Sequence, residues 1–275
     1  MTDKEQILEK TAEISAIEAF RISTVVGKIP ALTDSKFGGM PYWDKTMDYP
    51  VSSRGEKMLL LAQINFAELP ENDKFPKSGL LQFFVAPDDV YGAEFSTPDI
   101  QKDFRVIYHK STDPAVTKES LSGLDLPAGD QYGDIGFPIQ REMAISFEKT
   151  SISIGVTDYR YMDKVREAAQ LLGAEVPQEK EPYRFLKNKE YEREARNVGH
   201  WLLGYPYFTQ YDPREGKEAL QRFDTMLLQI DSEYSNQNPD YEIMWGDAGV
   251  ANFFISGEAL KRGDFSEIMY TWDCG

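Results

Sequence analysis

Three short blocks of this sequence occur twice, in the same order, and they constrain the fold more than any other feature. The blocks GMPYW, LLAQIN and GLLQFFV begin at positions 39, 60 and 79, and their counterparts GYPYF, MLLQID and GVANFFI begin at positions 204, 226 and 249. Corresponding blocks therefore lie 165, 166 and 170 residues apart. Because similarity at a nearly constant spacing is the signature of an internal repeat, the sequence predicts two diverged copies of one unit.

The repeated blocks are typical of β-strands, since they are short, apolar and rich in aromatic and β-branched residues. Strands are predicted at 21–26, 58–66, 79–86, 104–109 and 142–147. Helical periodicity covers 2–20, where Thr2 and Glu5 form a capping box, and 158–173, which Asp158 caps and Gly173 ends. The sequence thus predicts an α+β fold: a mainly antiparallel β-sheet built from two diverged internal repeats, plus an N-terminal helix and a mid-chain helix.

The repeat also sets the expected domain organisation. We expect a single compact domain over 1–275, with a first repeat at 21–150, a helical connection at 151–189 and a second repeat at 190–275. One copy has too few strands to cover both faces of a sheet, so the two copies should share a core. Pseudo-two-fold packing is expected, because paired copies usually associate in this way, and the cleft between them is the first place to expect a ligand.

Composition limits the kinds of partner. The chain has 46 acidic and 30 basic residues and a formal net charge of −16. Nucleic acids and anionic membranes carry the same sign, so neither is an expected partner. The same charge favours a basic protein partner or a cationic small ligand. The charged N-terminus and the single cysteine, Cys274, fit a cytoplasmic protein.

Gln63 and Gln229 interrupt apolar runs at equivalent positions of the repeat. A buried amide must find hydrogen-bond partners, since an unpaired one costs about 1–3 kcal/mol. One interpretation is that each amide holds the adjacent Gly-x-Pro loop to the sheet. The other is that both amides face a shared cleft and bind a ligand. Both interpretations are open from the sequence alone.

Aromatic and acidic residues near the glycine-rich turns complete the candidate ligand-binding set. Besides the two glutamines, it contains Trp43, Asp44, Trp245 and Asp247. Aromatic faces beside carboxylates suit a cation, a sugar or a protein partner, although core packing and solvated turns explain the same residues. The two histidines lie far apart in sequence, so no metal site is predicted, and neither a catalytic residue nor a cofactor is assigned.

Three segments carry a family resemblance: SKFGGMP at 35–41, LAQIN at 61–65 and FPKSGLLQFF at 75–84. Together they resemble the YwqG-like family of bacterial proteins, and the similarity continues through WGDAG at 245–249. The resemblance implies a cytoplasmic bacterial protein with no established activity, cofactor or catalytic residue. Some members of the family lie near toxin genes, which suggests an immunity role.

These observations predict a protein- or ligand-binding module. The alternative is an enzyme or small-molecule binder with its site in the cleft between the two repeats.

Overall fold

The computed structural model describes residues 2–125, 136–194, 197–234 and 241–275. Within these ranges the strands are β1 (Ile17–Thr24), β2 (Lys36–Phe37), β3 (Leu59–Asn65), β4 (Leu80–Val85), β5 (Phe104–His109), β6 (Met143–Ile152), β7 (His200–Leu202), β8 (Thr225–Asp231), β9 (Glu233–Tyr234), β10 (Tyr241–Ile243), β11 (Val250–Ile255) and β12 (Met269–Asp273). The helices are α1 (Asp3–Ser15), α2 (Lys118–Leu121), α3 (Tyr161–Leu172), α4 (Pro182–Phe185), α5 (Asn188–Glu194), α6 (Glu218–Gln221) and α7 (Gly257–Lys261).

Ten of these strands form one antiparallel sheet in the order β12-β11-β8-β7-β1-β6-β2-β3-β4-β5. The long strands β1 and β6 pair with each other at its centre. On one side lie β2, β3, β4 and β5, which we call the first wing. On the other lie β7, β8, β11 and β12, which we call the second wing. The α+β class with a mainly antiparallel sheet is therefore confirmed.

The two wings face each other across the main hydrophobic core. Phe83 on β4 lies edge-on to Phe253 on β11, with ring centroids 4.9 Å apart. Phe104 on β5 contacts Tyr270 on β12 at 5.2 Å. The sheet therefore curls, and the inner faces of its two wings share one core. A second cluster of buried residues lies on the outer face of the second wing, beneath α1 and α3.

The blocks that repeat in the sequence occupy corresponding places in the two wings. The LLAQIN block lies on β3 and its counterpart on β8, each between a short strand and the next long one. The GLLQFFV block supplies β4 and its counterpart supplies β11, each adjacent to the wing's edge strand. The predicted strands at 58–66, 79–86 and 104–109 agree with β3, β4 and β5.

The N-terminal region differs from its prediction in where the helix ends. Thr2 and Glu5 form the expected capping box. The helix stops at Ser15 rather than at residue 20, and the strand begins at Ile17 rather than at residue 21. Residues 17–24 pair with β6 along one edge and with β7 along the other. The sheet therefore uses the backbone N–H and C=O groups that a longer helix would need for its own hydrogen bonds.

The mid-chain helix is also shorter than predicted. Asp158 does not cap α3, which begins at Tyr161; its buried carboxylate instead accepts hydrogen bonds from the backbone and side chain of Arg160. Gly173 ends the helix at a positive φ of 65°, as expected. Leu172 is 42% exposed, because it follows the last buried turn of the helix. None of the helices in the described ranges is long and apolar enough to cross a bilayer.

Candidate binding site

Each wing has a loop that begins with two residues of left-handed backbone. In the first wing these are Gly38 and Gly39, with φ of 63° and 75°. In the second wing they are Leu203 and Gly204, with φ of 63° and 111°. The loops then continue through the repeated Pro-Tyr pair. The same local turn therefore positions Tyr42 in one wing and Tyr207 in the other.

Gln63 fixes the first loop to β3. Its Oε1 accepts a hydrogen bond from the backbone N–H of Tyr42 at 3.0 Å. Its Nε2 donates to the carbonyls of Leu32 and Asp34 at 2.9 and 2.8 Å. The side chain is fully buried, so these bonds satisfy an amide that would otherwise destabilise the core.

Gln229 does the same for the second loop. Its Oε1 accepts from the N–H of Tyr207 at 2.7 Å, and its Nε2 donates to the carbonyls of Asn197 and Gly199 at 2.6 and 2.8 Å. Both glutamines therefore make closed contacts between strand and loop. This is the first of the two interpretations drawn from the sequence, and the ligand-binding role for these amides has no support from their contacts.

The next strand of each wing adds a second amide, and here the wings differ. Gln82 on β4 donates to the carbonyl of Tyr42 at 2.7 Å, and its Oε1 lies 2.9 Å from Nε2 of His109. Asn252 on β11 donates to the carbonyl of Tyr207 at 2.9 Å. Its fully buried Oδ1 has no hydrogen-bond partner among the described residues. The second amide thus lacks the contact that His109 supplies in the first wing.

Asp273 lies in the second wing where His109 lies in the first. His109 pairs with Leu80 on β4, and Asp273 pairs with Val250 at the corresponding place on β11. The glycine before each of these strands approaches the same backbone group. A Cβ on Gly79 would lie 2.6 Å from the carbonyl oxygen of His109, and one on Gly249 would lie 1.9 Å from that of Asp273. A carboxylate therefore replaces an imidazole at one position of the shared framework.

The replacement coincides with an open pocket. The rings of Tyr42 and Trp43 contact His109 edge-on at 5.3 and 5.4 Å, so the first wing is filled at this point. The second wing has a cavity of about 300 Å³. Its aromatic and polar lining includes Phe95, Phe208, Tyr211, Thr271, Trp272 and Asp273. We call this cavity the Asp273 pocket.

Both wings contribute to the wall of the Asp273 pocket. Phe95 belongs to the loop between β4 and β5, whereas Tyr211 belongs to the loop between β7 and β8. Phe95 is 50% exposed and Tyr211 is 65% exposed, so they form the rim. Trp272 is half-buried, and its Nε1 donates to the carbonyl of Val90 at 2.8 Å. That hydrogen bond holds the indole against the loop between β4 and β5, at the wall of the pocket.

One carboxylate supplies the negative charge of the pocket. Asp273 accepts hydrogen bonds from the backbone N–H groups of Thr209 at 3.2 Å and Gln210 at 2.7 Å. Burial raises the pKa of Asp273, while these N–H groups act in the opposite direction. Lys217, an exposed residue, lies at the same cavity and is its basic member. The pocket therefore combines aromatic faces, a carboxylate held by backbone N–H groups and an exposed lysine.

A larger cavity, of about 810 Å³, lies between the start of β1 and α7. Most of its charged side chains already have partners of opposite charge, and Asp224 accepts hydrogen bonds from the Thr225 hydroxyl and the Gly257 N–H. The pairs are Glu18 with Lys149, Lys74 with Asp73, Lys261 with Glu258, and Arg160 with Asp158. A ligand there would have to displace these pairs, so the smaller Asp273 pocket is the better candidate.

A family model matches residues 35–274, which includes both wings and the Asp273 pocket. The match is to DUF1963, a domain of unknown function. The chain belongs to this family. No curated protein matches the sequence. The structure of the DUF1963 domain, rather than a relative of known activity, therefore carries the functional argument.

The other residues predicted for the site do not come together in the DUF1963 domain. Trp43 is fully buried on the outer face of the first wing, and its Nε1 donates to the carbonyl of Met47. Asp44 is held in a turn by the backbone and hydroxyl groups of Thr46, and the backbone hydrogen bond is the main reason that its pKa is lowered.

Trp245 and Asp247 lie just before β11, in the second wing. Trp245 is fully buried in the core, where its ring contacts Tyr91 at 5.4 Å and Trp272 at 6.2 Å. Asp247 is exposed, and its backbone carbonyl accepts from the N–H of Gly275. Of the predicted set, Trp245 touches Trp272, a residue that lines the Asp273 pocket.

The sequence missed the residues that distinguish this pocket. Phe95 lies in a loop with no periodic pattern, and 269–273 was not predicted as a strand. The correspondence of Asp273 with His109 follows only from the register of each edge strand with its neighbour. Among the described residues, no group of three or more His, Cys, Asp or Glu side chains is arranged to hold a metal ion.

Proposed function

We propose that this domain is a protein-binding module that takes a basic segment of its partner, with one cationic side chain entering the Asp273 pocket. The observation that carries the proposal is the carboxylate of Asp273 at the end of an aromatic pocket. A cation gains from the faces of aromatic rings and from an opposite charge, and both effects strengthen when water is excluded. Tyr211, Trp272 and Phe95 provide the rings.

The rim supports a protein rather than a free metabolite as the occupant. Phe95 and Tyr211 expose half or more of their surface to solvent beside the opening. Aromatic residues of this kind are the usual anchors of protein interfaces. A pocket of about 300 Å³ is at the lower limit for a small-molecule site, but it accommodates one side chain.

The charge of the chain supports a basic partner. A net charge of −16 attracts a basic surface over a distance and accelerates encounter at low salt. Immunity towards a toxin is the specific form of this function that the YwqG-like resemblance suggests, and the basic partner would then be the toxin. A cytoplasmic location for the domain belongs to the same proposal.

Internal duplication explains how such a pocket arises. In this proposal, two copies of one unit related by a pseudo-two-fold axis keep the glutamine, glycine and phenylalanine positions that build each wing. The paired contacts of Gln63 and Gln229 support it. The position held by His109 in one copy and by Asp273 in the other is then free to diverge, and divergence there opens a binding site.

A small-molecule binder or enzyme with its site between the two halves is the second candidate. The observation that favours it is that residues from both wings line the Asp273 pocket. A small ligand would contact the pocket floor and leave the exposed rim unused. Substitution of Phe95 at the rim therefore separates the two candidates, because it weakens a protein complex more than a small-molecule complex.

The experiment is a titration of the protein with a soluble peptide of alternating lysine and glycine. The heat of binding is measured by calorimetry at two salt concentrations. Tyr211→Ala should weaken binding about tenfold, since a desolvated cation–aromatic contact contributes up to about 2 kcal/mol. Tyr183→Ala is the matched control, because Tyr183 is equally exposed, at 61%, but lies on α4. Equal effects of the two substitutions would show that the peptide binds the acidic surface at large and would contradict the proposal.

A further inference from the structure

We infer that the basic segment of the partner binds as an added β-strand along the outer edge of β12, and that its lysine enters the Asp273 pocket from that strand. This inference rests on the proposed function and states the conformation in which the partner is recognised. An exposed strand edge offers backbone N–H and C=O groups to another chain. Recognition by strand addition uses these groups for affinity and side-chain pockets for specificity.

The backbone of Trp272 supplies the edge groups. β12 is the last strand of the sheet, so among the described strands it pairs with β11 alone. The N–H of Tyr270 donates to the carbonyl of Pro98 at 2.8 Å, which directs the backbone groups of Tyr270 away from β11. Because this direction alternates along an antiparallel strand, the N–H and C=O of Trp272 also point outward.

The neighbouring residue agrees with this alternation. A Cβ on Gly249 would lie 1.9 Å from the carbonyl oxygen of Asp273, so that oxygen faces the β11 side. The backbone N–H and C=O of Trp272 have no hydrogen-bond partner in the part of the chain that the structure describes. One donor and one acceptor are therefore available to an added strand, directly beyond the point where Pro98 covers the edge.

The Asp273 pocket lies at the same edge. Successive side chains of a strand point to opposite faces. The carboxylate of Asp273 contacts the loop between β7 and β8, whereas the indole of Trp272 contacts the loop between β4 and β5. Both residues line the pocket, and so does Pro98. A cavity lined from both faces of an edge strand extends around its edge, so the pocket and the outward backbone groups of Trp272 form one site.

The charges favour an extended basic segment over a second copy of this chain. Two copies joined through β12 would bring together two Asp273 carboxylates and two net charges of −16, and these would repel each other. A strand that carries lysine instead brings a cation to the carboxylate. Net charge and the free edge thus point to the same occupant.

The register of such a strand follows from the geometry of antiparallel pairs. The residue opposite Trp272 would exchange both backbone hydrogen bonds with it. The residue opposite Asp273 would carry its side chain on the same face as that carboxylate. In the lysine–glycine peptide, lysine therefore lies opposite Asp273 and glycine lies opposite Trp272.

The test methylates the backbone nitrogens of the lysine–glycine peptide in two matched ways. One peptide carries N-methylglycine at every glycine, and the other carries Nα-methyllysine at every lysine, so length and charge are the same. Only one of these two sets of amides faces β12 in an added strand. We expect methylation of the glycines to weaken binding about tenfold more than methylation of the lysines, as measured by calorimetry.

The outcomes separate this inference from the proposed function. Equal affinities of the two methylated peptides would overturn strand addition and leave the proposed cation pocket intact. A parallel strand would reverse the preference, because its lysine amides would face β12, and that result would still support strand addition. Failure of the unmethylated peptide to bind would overturn both proposals.

Hydrogen exchange of the Trp272 backbone amide gives a second measurement. In the protein alone this amide should exchange faster than that of Tyr270, which Pro98 holds. Saturating lysine–glycine peptide should slow it about tenfold. Butylammonium, a cation without a peptide backbone, should shift the indole N–H of Trp272 and leave the exchange rate unchanged.

Two results of the exchange measurement would contradict the inference. One is an unchanged Trp272 exchange rate with the peptide bound, which would mean that only the lysine side chain contacts the protein. The other is slow exchange in the protein alone that becomes slower as the protein concentration rises. That result would show that a second copy of the chain occupies the edge.

Discussion

The two wings of this molecule share the same contacts between strand and loop, but they differ at the position held by His109 in one and by Asp273 in the other. In each, a buried glutamine holds a tyrosine-bearing loop to the sheet, through Gln63 in the first wing and Gln229 in the second. Beyond that shared contact, the first wing closes around His109, and the second leaves the Asp273 pocket. The comparison teaches that the contacts common to both wings form the scaffold, and that the candidate site lies where the two wings differ.

The two wings also differ in how their buried polar groups are paired. Gln82 and His109 satisfy each other within the protein. Asn252 and Asp273 are both acceptors, so the second wing keeps an unpaired oxygen and a partly buried carboxylate. Such an arrangement costs stability. The second wing is therefore the one whose polar groups are incompletely satisfied within the described residues.

The largest expected effect comes from removing the shared glutamine contacts. Gln63→Met would leave the N–H of Tyr42 and the carbonyls of Leu32 and Asp34 unpaired, and Gln229→Met would do the same in the second wing. Each change should lower the free energy of unfolding by about 3–6 kcal/mol, as measured by urea denaturation. Strongly unequal losses would break the equivalence of the two wings.

A smaller effect is expected from exchanging the two divergent residues. His109→Asp places a second acceptor beside Oε1 of Gln82 in a filled site, so it should lower the free energy of unfolding by about 2–3 kcal/mol. Asp273→His should abolish binding of the lysine–glycine peptide, because it removes the negative charge and fills the pocket. Denaturation and calorimetry measure the two outcomes.

The control for this exchange is Asp264→His, which changes an exposed aspartate outside the Asp273 pocket. It alters the net charge of the chain by the same amount and should leave binding nearly unchanged. If Asp264→His weakened binding as much as Asp273→His, the general charge of the surface, and not the difference between the wings, would explain recognition.

The turn that begins the first loop should tolerate a side chain less well than its counterpart does. Leu203 occupies this position in the second wing at the same φ as Gly38. A Cβ on Gly38 would lie 2.9 Å from Ile139, so Gly38→Ala should cost about 2 kcal/mol, of which about 1 kcal/mol is left-handed backbone strain. Gly27→Ala, at φ of 77° with open space around it, isolates the strain. Equal costs for Gly38→Ala and Gly27→Ala would show that contact with Ile139 adds nothing, and would contradict this prediction.

The smallest effect is the pH dependence of stability, which should have opposite signs in the two wings. Burial lowers the pKa of His109, so its contribution is complete above the unfolded value of about 6.5 and is lost as the pH falls. Burial raises the pKa of Asp273, so the folded state gains stability as the pH falls towards the unfolded value of 3.8.

Each group can change the slope by at most about 1.4 kcal/mol per pH unit. His109→Gln should flatten the loss of stability as the pH falls below about 6.5, and Asp273→Asn should remove the gain as the pH falls towards 3.8. Urea denaturation across this range measures both slopes. An unchanged acid slope in His109→Gln would show that burial of this imidazole has no net influence on folding.

Strands such as β3 and β4 could be predicted from the sequence because they are short apolar runs between glycine-rich turns. The helix boundaries could not, because pairing of residues 17–24 with β6 and β7 overrides the helical periodicity. Gln63 was identified as a buried amide, but its partners depend on a loop about 20–30 residues earlier.

The pocket was harder to predict for the same reason. Asp273 can be recognised as a candidate only from its register with β11 and from comparison with His109. Phe95 reaches the pocket from a loop of the other wing, and no local pattern marks it. Sequence thus predicted the strands that carry the similar blocks, while the candidate site depends on contacts between distant segments.

The most direct test of the account is a two-dimensional NMR titration of the whole chain with the lysine–glycine peptide. We predict shift changes concentrated at Phe95, Tyr211, Trp272 and Asp273, with no comparable change around His109 in the first wing. Shift changes spread evenly over the acidic surface, or an equal response at His109, would contradict the claim that binding occurs at the Asp273 pocket and not at the corresponding position of the first wing.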